Sequence, residues 1–336
     1  MDNWYFRVFE YPRLQKLALS LLVTGCYISL IPVDNNEAYI FLTVSGLTIL
    51  YLFYQVWPFT PFRKVQLIRA AKVDTDNRIR LFIANVYQYN MEYAKCLGIL
   101  KLCKPDVILL VETDKLWADQ LIILEKEYKY SVKVPLENTY GMMLYSRFKL
   151  SNHEVKYLVE DGVPSIHTSV RLQSGKAIKL HCLHPSPPVP QENPRSTERD
   201  KELILVAKEV KKSKEPVIVA GDLNDVAWSY TTELFSKVSG LLDPRKGRGF
   251  FNTFHARYFF MRFPLDHIFC STDFTLVNIR RMNHIGSDHF PMFIELQYEA
   301  KAKNKQSEPQ ADPEEKEVAN KKVKAHTFAS EADHKK

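Results

Sequence analysis

Eight polar side chains stand where apolar runs of this chain break: Asn85, Glu112, His184, Asp222, Asn224, Asp266, Asp288 and His289. The plainest case is Pro216-Val217-Ile218-Val219-Ala220-Gly221-Asp222-Leu223-Asn224-Asp225, an apolar run ended by a glycine and followed by a carboxylate and a carboxamide. Short apolar runs between breakers read as buried strands, so Asp222 and Asn224 fall just past a strand's carboxyl end, where α/β proteins carry their chemistry. At a spacing of two they point the same way in extended chain, a hard anionic oxygen beside an amide, suited to a metal-bound phosphate or a water. Gly, Asp and Asn are equally the residues of a plain turn, and this stretch by itself fits both. Glu112 closes the run Val107-Ile108-Leu109-Leu110-Val111; an unpaired buried charge is costly, so it is either a polar strand end or a metal ligand. Asp266 interrupts Pro264-Leu265-Asp266-His267-Ile268-Phe269-Cys270 and needs a partner, which Gly286-Ser287-Asp288-His289-Phe290-Pro291 can supply. Neighbours in extended chain diverge, so of Asp288 and His289 one can face a metal and the other a substrate. His184, followed by Pro185-Ser186-Pro187-Pro188, has few rotational options and suits an oriented hydrogen-bond donor. His267 and His284 read as structural or surface residues.

Taken together these groups permit a narrow chemistry. Glu112 and Asp288 offer hard oxygens for Mg²⁺ or Mn²⁺. A metal there would polarise a phosphoryl oxygen and stabilise the leaving oxygen. His289, held by Asp266, would activate water as a general base, while His184 and Asn224 steady the charge that builds on phosphorus-bound oxygens. The implied reaction is in-line attack of water on phosphorus.

The elements that must position them follow from the same punctuation. Leu81 to Val86 reads as a strand ending at Asn85, Glu92 to Cys103 as a helix stopped before Pro105, and Gly141 to Arg147 as a short strand. Thr168 to Leu172 and Ala177 to Cys182 flank Ser174-Gly175 as a hairpin, and Met292 to Tyr298 is a last strand. Thr197 to Lys212 is an amphipathic helix, read as packing without chemistry. Hairpins mixed with strand–helix units predict an α/β fold with mixed sheets. From Arg245 to Phe263, four arginines and Lys246 alternate with seven aromatic residues, a set that could hold a phosphate-bearing or lipid-like substrate or simply pack under a long loop; Arg248 and Arg262 are the candidate substrate contacts.

Residues 1–60 are organised differently. Leu17 to Val33 and Ala38 to Trp57 are two nearly charge-free stretches of membrane-spanning length around Asp34-Asn35-Asn36-Glu37, predicting a transmembrane hairpin with Trp4, Tyr5, Tyr11, Tyr54 and Trp57 at its interfaces. Arg7, Arg13 and Lys16 precede it and Arg63, Lys64, Arg69 and Lys72 follow it, which puts both ends, and the domain, on the cytoplasmic side of an inner or plasma membrane. A basic linker covers 61–77, the soluble domain 78–299, and a charged tail expected to be disordered 300–336. The five scattered cysteines, without CxxC spacing, argue against a disulfide framework or a zinc site, and a net charge of +7 over 336 residues neither demands nor excludes a polyanionic substrate.

The order of the motifs resembles the endonuclease/exonuclease/phosphatase superfamily, metal-dependent phosphoesterases that include pancreatic-type deoxyribonucleases, apurinic endonucleases, inositol polyphosphate 5-phosphatases and neutral sphingomyelinases. In that likeness Asn85 and Glu112 are the metal-side residues, joined by Asp288. His184 contacts phosphate, Gly221-Asp222-Leu223-Asn224 is the Asp-x-Asn motif, Asp266 orients the catalytic histidine, and Ser287-Asp288-His289 is the terminal motif. The resemblance implies a four-layer α/β sandwich of two mixed sheets flanked by helices. Where some members carry an aspartate two residues after the first asparagine this chain has Tyr87, which points to one metal led by Glu112. The hairpin, the 245–263 segment and the proline-rich stretch from Pro185 to Pro194 resemble bacterial membrane-attached members most. Membrane tethering favours a lipid or inositol-type phosphate, with nucleic acid the competing substrate, and no stable protein partner is expected. A catalytically silent membrane-attached scaffold of the same fold is the alternative, disfavoured because every catalytic position holds a competent residue.

Overall fold

The computed structural model describes residues 2–327. Among the described residues, eleven strands form two sheets. The first contains β1 (Arg78–Asn85), β2 (Val107–Val111), β3 (Tyr130–Val134), β4 (Met142–Ser146), β10 (Phe274–Arg281) and β11 (Met292–Tyr298), ordered β10-β11-β1-β2-β4-β3. The second contains β5 (Leu150–Lys156), β6 (Ser165–Arg171), β7 (Ala177–Leu183), β8 (Val217–Asp222) and β9 (Asp266–Cys270), in sequential order. Each sheet has one parallel pair at its heart, β1 with β2 and β7 with β8, and is otherwise antiparallel.

Strand alternation builds the layers. Leu81, Ile83, Leu109, Val111, Met142 and Leu144 of the first sheet meet Ile178, Leu180, Cys182, Ile218, Ala220 and Ile268 of the second in one central core. The opposite faces are covered by helices: Phe82, Ala84, Ile108 and Leu110 by α4 (Tyr93–Cys103) and α5 (Lys115–Gln120), and Val217, Val219 and Phe269 by α6 (Thr197–Lys211) and α7 (Tyr230–Ser239). Strands buried on both faces read as continuous apolar runs, which is why β1, β2 and β8 were so legible. The result is an α/β sandwich of two mixed sheets flanked by helices, as the sequence predicts.

The N-terminal region holds a one-turn helix α1 (Trp4–Arg7) and an antiparallel pair, α2 (Arg13–Leu30) and α3 (Asn36–Val56). Among the described residues only the second, continuing as Asn36–Phe59, is by length and composition apolar enough to cross a membrane. The helix roots sit on the domain: Val56 and Phe59 pack with Val226, Ala227, Trp228, Phe263 and Leu265, with Tyr11, Leu14 and Leu17 against them.

The 61–77 linker lies on the domain, with Leu67 in the central core and Ile68 and Ala70 bonded to Leu276. The described part of the tail differs from the expected disorder. Beyond Glu299 the chain is ordered as far as 327. Gln306 is buried and bonds Ile68, Thr272 and Phe274, and α8 (Pro313–Lys324) packs Ala319 against Ile204 and Leu234. Asp312 and Glu315 form a capping box at its start, with Pro313 in the first turn, so a charged segment with one apolar stripe is helical because the stripe finds a partner. The remainder of the predicted disordered tail, 328–336, falls outside the described residues.

Candidate active site

The parallel pairs deliver their carboxyl ends, and the antiparallel strands their starts, to one edge of the sandwich. Asn85 ends β1 beside Val111, Glu112 follows β2, His184 follows β7, and Asp222 ends β8 directly opposite Asp266, the first residue of β9. The loop before β11 adds Asp288 and His289. Gly221 makes the close approach of β8 to β7 possible: its φ is +148°, and a Cβ there would lie 1.9 Å from the Leu183 carbonyl oxygen.

The side chains meet. Asn85 donates from Nδ2 to Glu112 (2.6 Å) and to Asp222 (3.1 Å), tying the two sheets together. His289 Nδ1 is 2.8 Å from Asp266 and its Nε2 is 3.5 Å from Asp222. Asp222, Asp266 and His289 are all buried and bring their polar atoms within 4.8 Å of one another. Burial alone would lower the pKa of His289, but Asp266 and Asp222 outweigh it and raise it to about 10. Burial likewise raises Asp222, opposed by His289. His184 is buried, its pKa pushed down to about 4 by desolvation, and its Nδ1 has no hydrogen-bond partner among the described residues. The neutral ring thus keeps one buried nitrogen without a partner beside the Asp222 carboxylate.

Asp222 and Asn224 do not point the same way in extended chain. Asn224 has a φ of +50° and its N–H donates to Asp222 Oδ1 (2.9 Å), so the stretch is a turn and a site at once, and Asn224 Nδ2 donates to the Pro185 carbonyl. Glu112 is also left-handed, at +58°. Such non-glycine residues persist only where their surroundings fix them, and they recur at functional sites.

The donor set fits a hard divalent cation. Desolvation, with added repulsion from Asp288 and Asp222, pushes Glu112 up to about 7 against the Asn85 amide and His289, which lower it. A carboxylate raised by two others is relieved by a cation, and the oxygens of Glu112 and Asp288 are of the kind Mg²⁺ and Mn²⁺ prefer, while Asn85 turns its amide nitrogen rather than its oxygen to Glu112. Tyr87, at the position noted above, donates its N–H to Asn85 Oδ1 (3.0 Å) and brings no carboxylate.

The two arginines differ. Arg262 stacks on Phe290, next to His289, at 5.0 Å, and Arg281 stacks on the same ring at 4.3 Å. Arg248 is turned to structure, its guanidinium bonded to the carbonyls of Pro244 and Leu67. Arg245, in the same basic stretch, is fully buried between Asp243 and His267. His267 is structural as expected, its Nε2–H donating to the Asp225 carbonyl while Nδ1 accepts from Arg245.

Several positioning residues lie outside the eight candidate side chains. Arg199, on the helix read as packing alone, is buried against Asp200 and Asp225 and donates to the Asn224 carbonyl (2.7 Å), which also accepts from Tyr11 Oη (2.9 Å). Ser287 Oγ donates to the Asn85 carbonyl and accepts from the His289 N–H, linking the terminal motif to β1. Tyr140 lies 5.5 Å from His184, ring to ring. An arginine one residue before an aspartate at the start of a predicted helix was the signal available for Arg199; Tyr11 had none, since its contact spans 213 residues.

Donor types also gather away from this edge, where buried His167 and His181 lie with exposed Glu209 within 4.8 Å. The two Nδ1 atoms are 2.6 Å apart, so one ring donates and the other accepts.

A family model described as the Endonuclease/Exonuclease/phosphatase family matches residues 82–289. Among solved structures, D. rerio TDP2 complexed with single strand DNA product superposes with a TM-score of 0.56 at 18% identity, covering 66% of this chain and 100% of that one. The human Nocturnin catalytic domain with bound sulfate anion gives 0.53 at 19% identity over 67% and 96%. An endonuclease/exonuclease/phosphatase from Beutenbergia cavernae gives 0.54 at 14% over 66% and 72%. At these identities the likeness to solved structures is one of fold. No curated protein matches. With the family model spanning every residue gathered at the sandwich edge, the chain belongs to the endonuclease/exonuclease/phosphatase family and is a metal-dependent phosphoesterase.

Proposed function

We propose that this is a membrane-anchored phosphoesterase that hydrolyses phosphodiester or phosphomonoester bonds by in-line attack of water, on a nucleic acid or on a lipid or inositol-type phosphate, with its domain on the cytoplasmic side. The observation that carries the chemistry is the buried Asp266–His289–Asp222 row, joined through Asn85 to Glu112. The anchor rests on α3, on the basic residues that flank the hairpin, and on the seating of both helix roots on the domain.

Glu112, Asn85 and Asp288 would hold the Mg²⁺ or Mn²⁺. Once bound, that ion supplies charge to the phosphoryl oxygen and the leaving oxygen. The rest belongs to the chain. His289, with its pKa raised by two carboxylates, is an imidazolium at neutral pH, and so donates to a phosphoryl oxygen rather than taking a proton. The base then becomes Asp222, a buried carboxylate of raised pKa placed to orient a water and accept its proton. Asp266 holds the His289 ring from behind. His184 offers its unpartnered nitrogen to the phosphate, and Arg262 adds positive charge at the rim.

Titration calorimetry of the full chain in detergent with Mg²⁺ or Mn²⁺ tests the metal assignment. Glu112→Ala is expected to weaken binding by at least about 10-fold, the scale on which groups supporting a metal site act. Unchanged binding would place the ion elsewhere.

A further inference from the structure

The segment between Thr253 and Phe263 joins the candidate active site to the helix roots. At its base, the Phe254 ring is 5.0 Å from the His289 ring, Ala256 N–H donates to the Asp288 carbonyl (2.6 Å), and Phe254 bridges to both Phe263 and His289. Its tip is Tyr258-Phe259-Phe260-Met261, four consecutive apolar residues exposed by 52%, 78%, 57% and 48%. That tip does not fold back to cover the core. It reaches the first turn of α2, where Gln15 Nε2 donates to the Phe260 carbonyl (3.0 Å).

Other exposed aromatics lie close in sequence to the helix roots: Phe9 just before α2, Tyr54 in the last turn of α3 and Phe62 beyond it. Contiguous apolar exposure next to an apolar helix marks a surface made for a membrane, and aromatic residues favour the headgroup layer, where one side of the ring is apolar and the other wet. The roots cannot swing freely: Trp228 Nε1–H donates to the Glu10 carbonyl (2.8 Å), and Tyr11 meets Phe263 edge to face at 5.6 Å. Arg257, exposed beside the tip and bonded to the Gly286 carbonyl, adds a cation where anionic headgroups lie.

We infer that the 258–261 loop dips into the interfacial layer of the bilayer leaflet at which α2 starts and α3 ends, so that the site edge beside His289 faces lipid headgroups. The inference rests on the proposed anchoring of the hairpin and adds to it a second, independent point of membrane contact, one that belongs to the catalytic domain.

The test uses the full chain in vesicles of phosphatidylcholine and phosphatidylglycerol, in a Cys26→Ser background, since the other four cysteines are buried or half-buried. An environment-sensitive fluorophore is placed at position 259 (Phe259→Cys), at position 47 in α3 (Leu47→Cys), or at position 129 (Lys129→Cys), at the sheet end away from the site, and brominated lipids of graded depth are the quenchers. Quenching at 259 and 47 but not at 129, with 259 quenched best by bromines near the headgroups, is the expected result. Quenching at 47 but not at 259 would overturn the loop contact and leave the anchor standing. Quenching at 259 but not at 47 would keep the loop and discard the spanning helix, and quenching at neither would discard both.

Discussion

His289 occupies a position in which two carboxylates compete for its ring nitrogens, and its role follows from that competition. Asp266 binds Nδ1 at 2.8 Å and Asp222 approaches Nε2 at 3.5 Å, so the ring is held in one plane and kept charged. Replacing Asp266 with asparagine removes the closer charge without removing the bulk. The pKa of His289 is then expected to fall from about 10 toward the ordinary histidine range, readable by NMR titration, and turnover to fall by about 10²-fold or more. An unshifted titration would mean that Asp222 alone holds the charge. Reading residues as breaks in apolar runs picked out carboxylates and two histidines that the fold brings to one edge, because a charge closing a buried run needs a reason to be there. Charge state was not legible: the spacing of Asp222 and Asp266 says nothing of which ends within reach of His289, and the proposal that Asp222 rather than His289 takes the proton rests on that geometry.

Elements were legible in proportion to their burial. β1, β2, β8 and β9, covered on both faces, were plain as apolar runs, whereas β5, at the edge of its sheet with the sequence Leu-Ser-Asn-His-Glu-Val-Lys, and β10, at the edge of the other, gave no alternation to follow. The capped start of α8 was written in Asp312-Pro313-Glu314-Glu315, but the charge of the surrounding tail masked it. Helix α6 shows what amphipathicity alone misses. Arg199 and Asp200, both buried at its start, bind respectively the Asn224 carbonyl and a cluster of cations from three parts of the chain, Arg7, Arg199 and Lys322. Arg199→Met would leave Asp225 and part of Asp200 uncompensated in the interior. A loss of about 3–5 kcal/mol is expected in denaturant unfolding, the usual cost of breaking a buried pair from one side. A loss under about 1 kcal/mol would show the cluster to be better hydrated than its burial indicates.

At the scale of the molecule, buried histidines set the response to acid. Desolvation lowers His167 to about 3, His181 to about 4 and His267 to about 3, so the folded chain refuses protons that the unfolded chain binds below about pH 6.5. Stability therefore falls as pH drops through that range. His289 acts in the opposite direction: its raised pKa stabilises the fold below about pH 6.5, and that contribution is lost as pH rises toward 10. The melting temperature of the full chain in detergent is expected to be highest near neutrality and lower at about pH 5; a flat profile from neutral to about pH 5 would mean that the three rings are wetter than the fold shows. The architecture as a whole followed from alternating hairpins and strand–helix units, while the docking of both termini onto the domain did not, since contacts such as Gln306 with Ile68 and Tyr11 with Asn224 join residues too far apart for any local pattern. Whether one sandwich edge hydrolyses a phosphate ester with a divalent metal is decided by measuring product release by the full chain in vesicles, with Mg²⁺ and with chelator, on DNA, RNA, phosphoinositides and sphingomyelin, beside His289→Ala. Turnover of one of these substrates that stops with chelator and falls by about 10²-fold or more in His289→Ala is the predicted result. Turnover that survives either change would contradict the account.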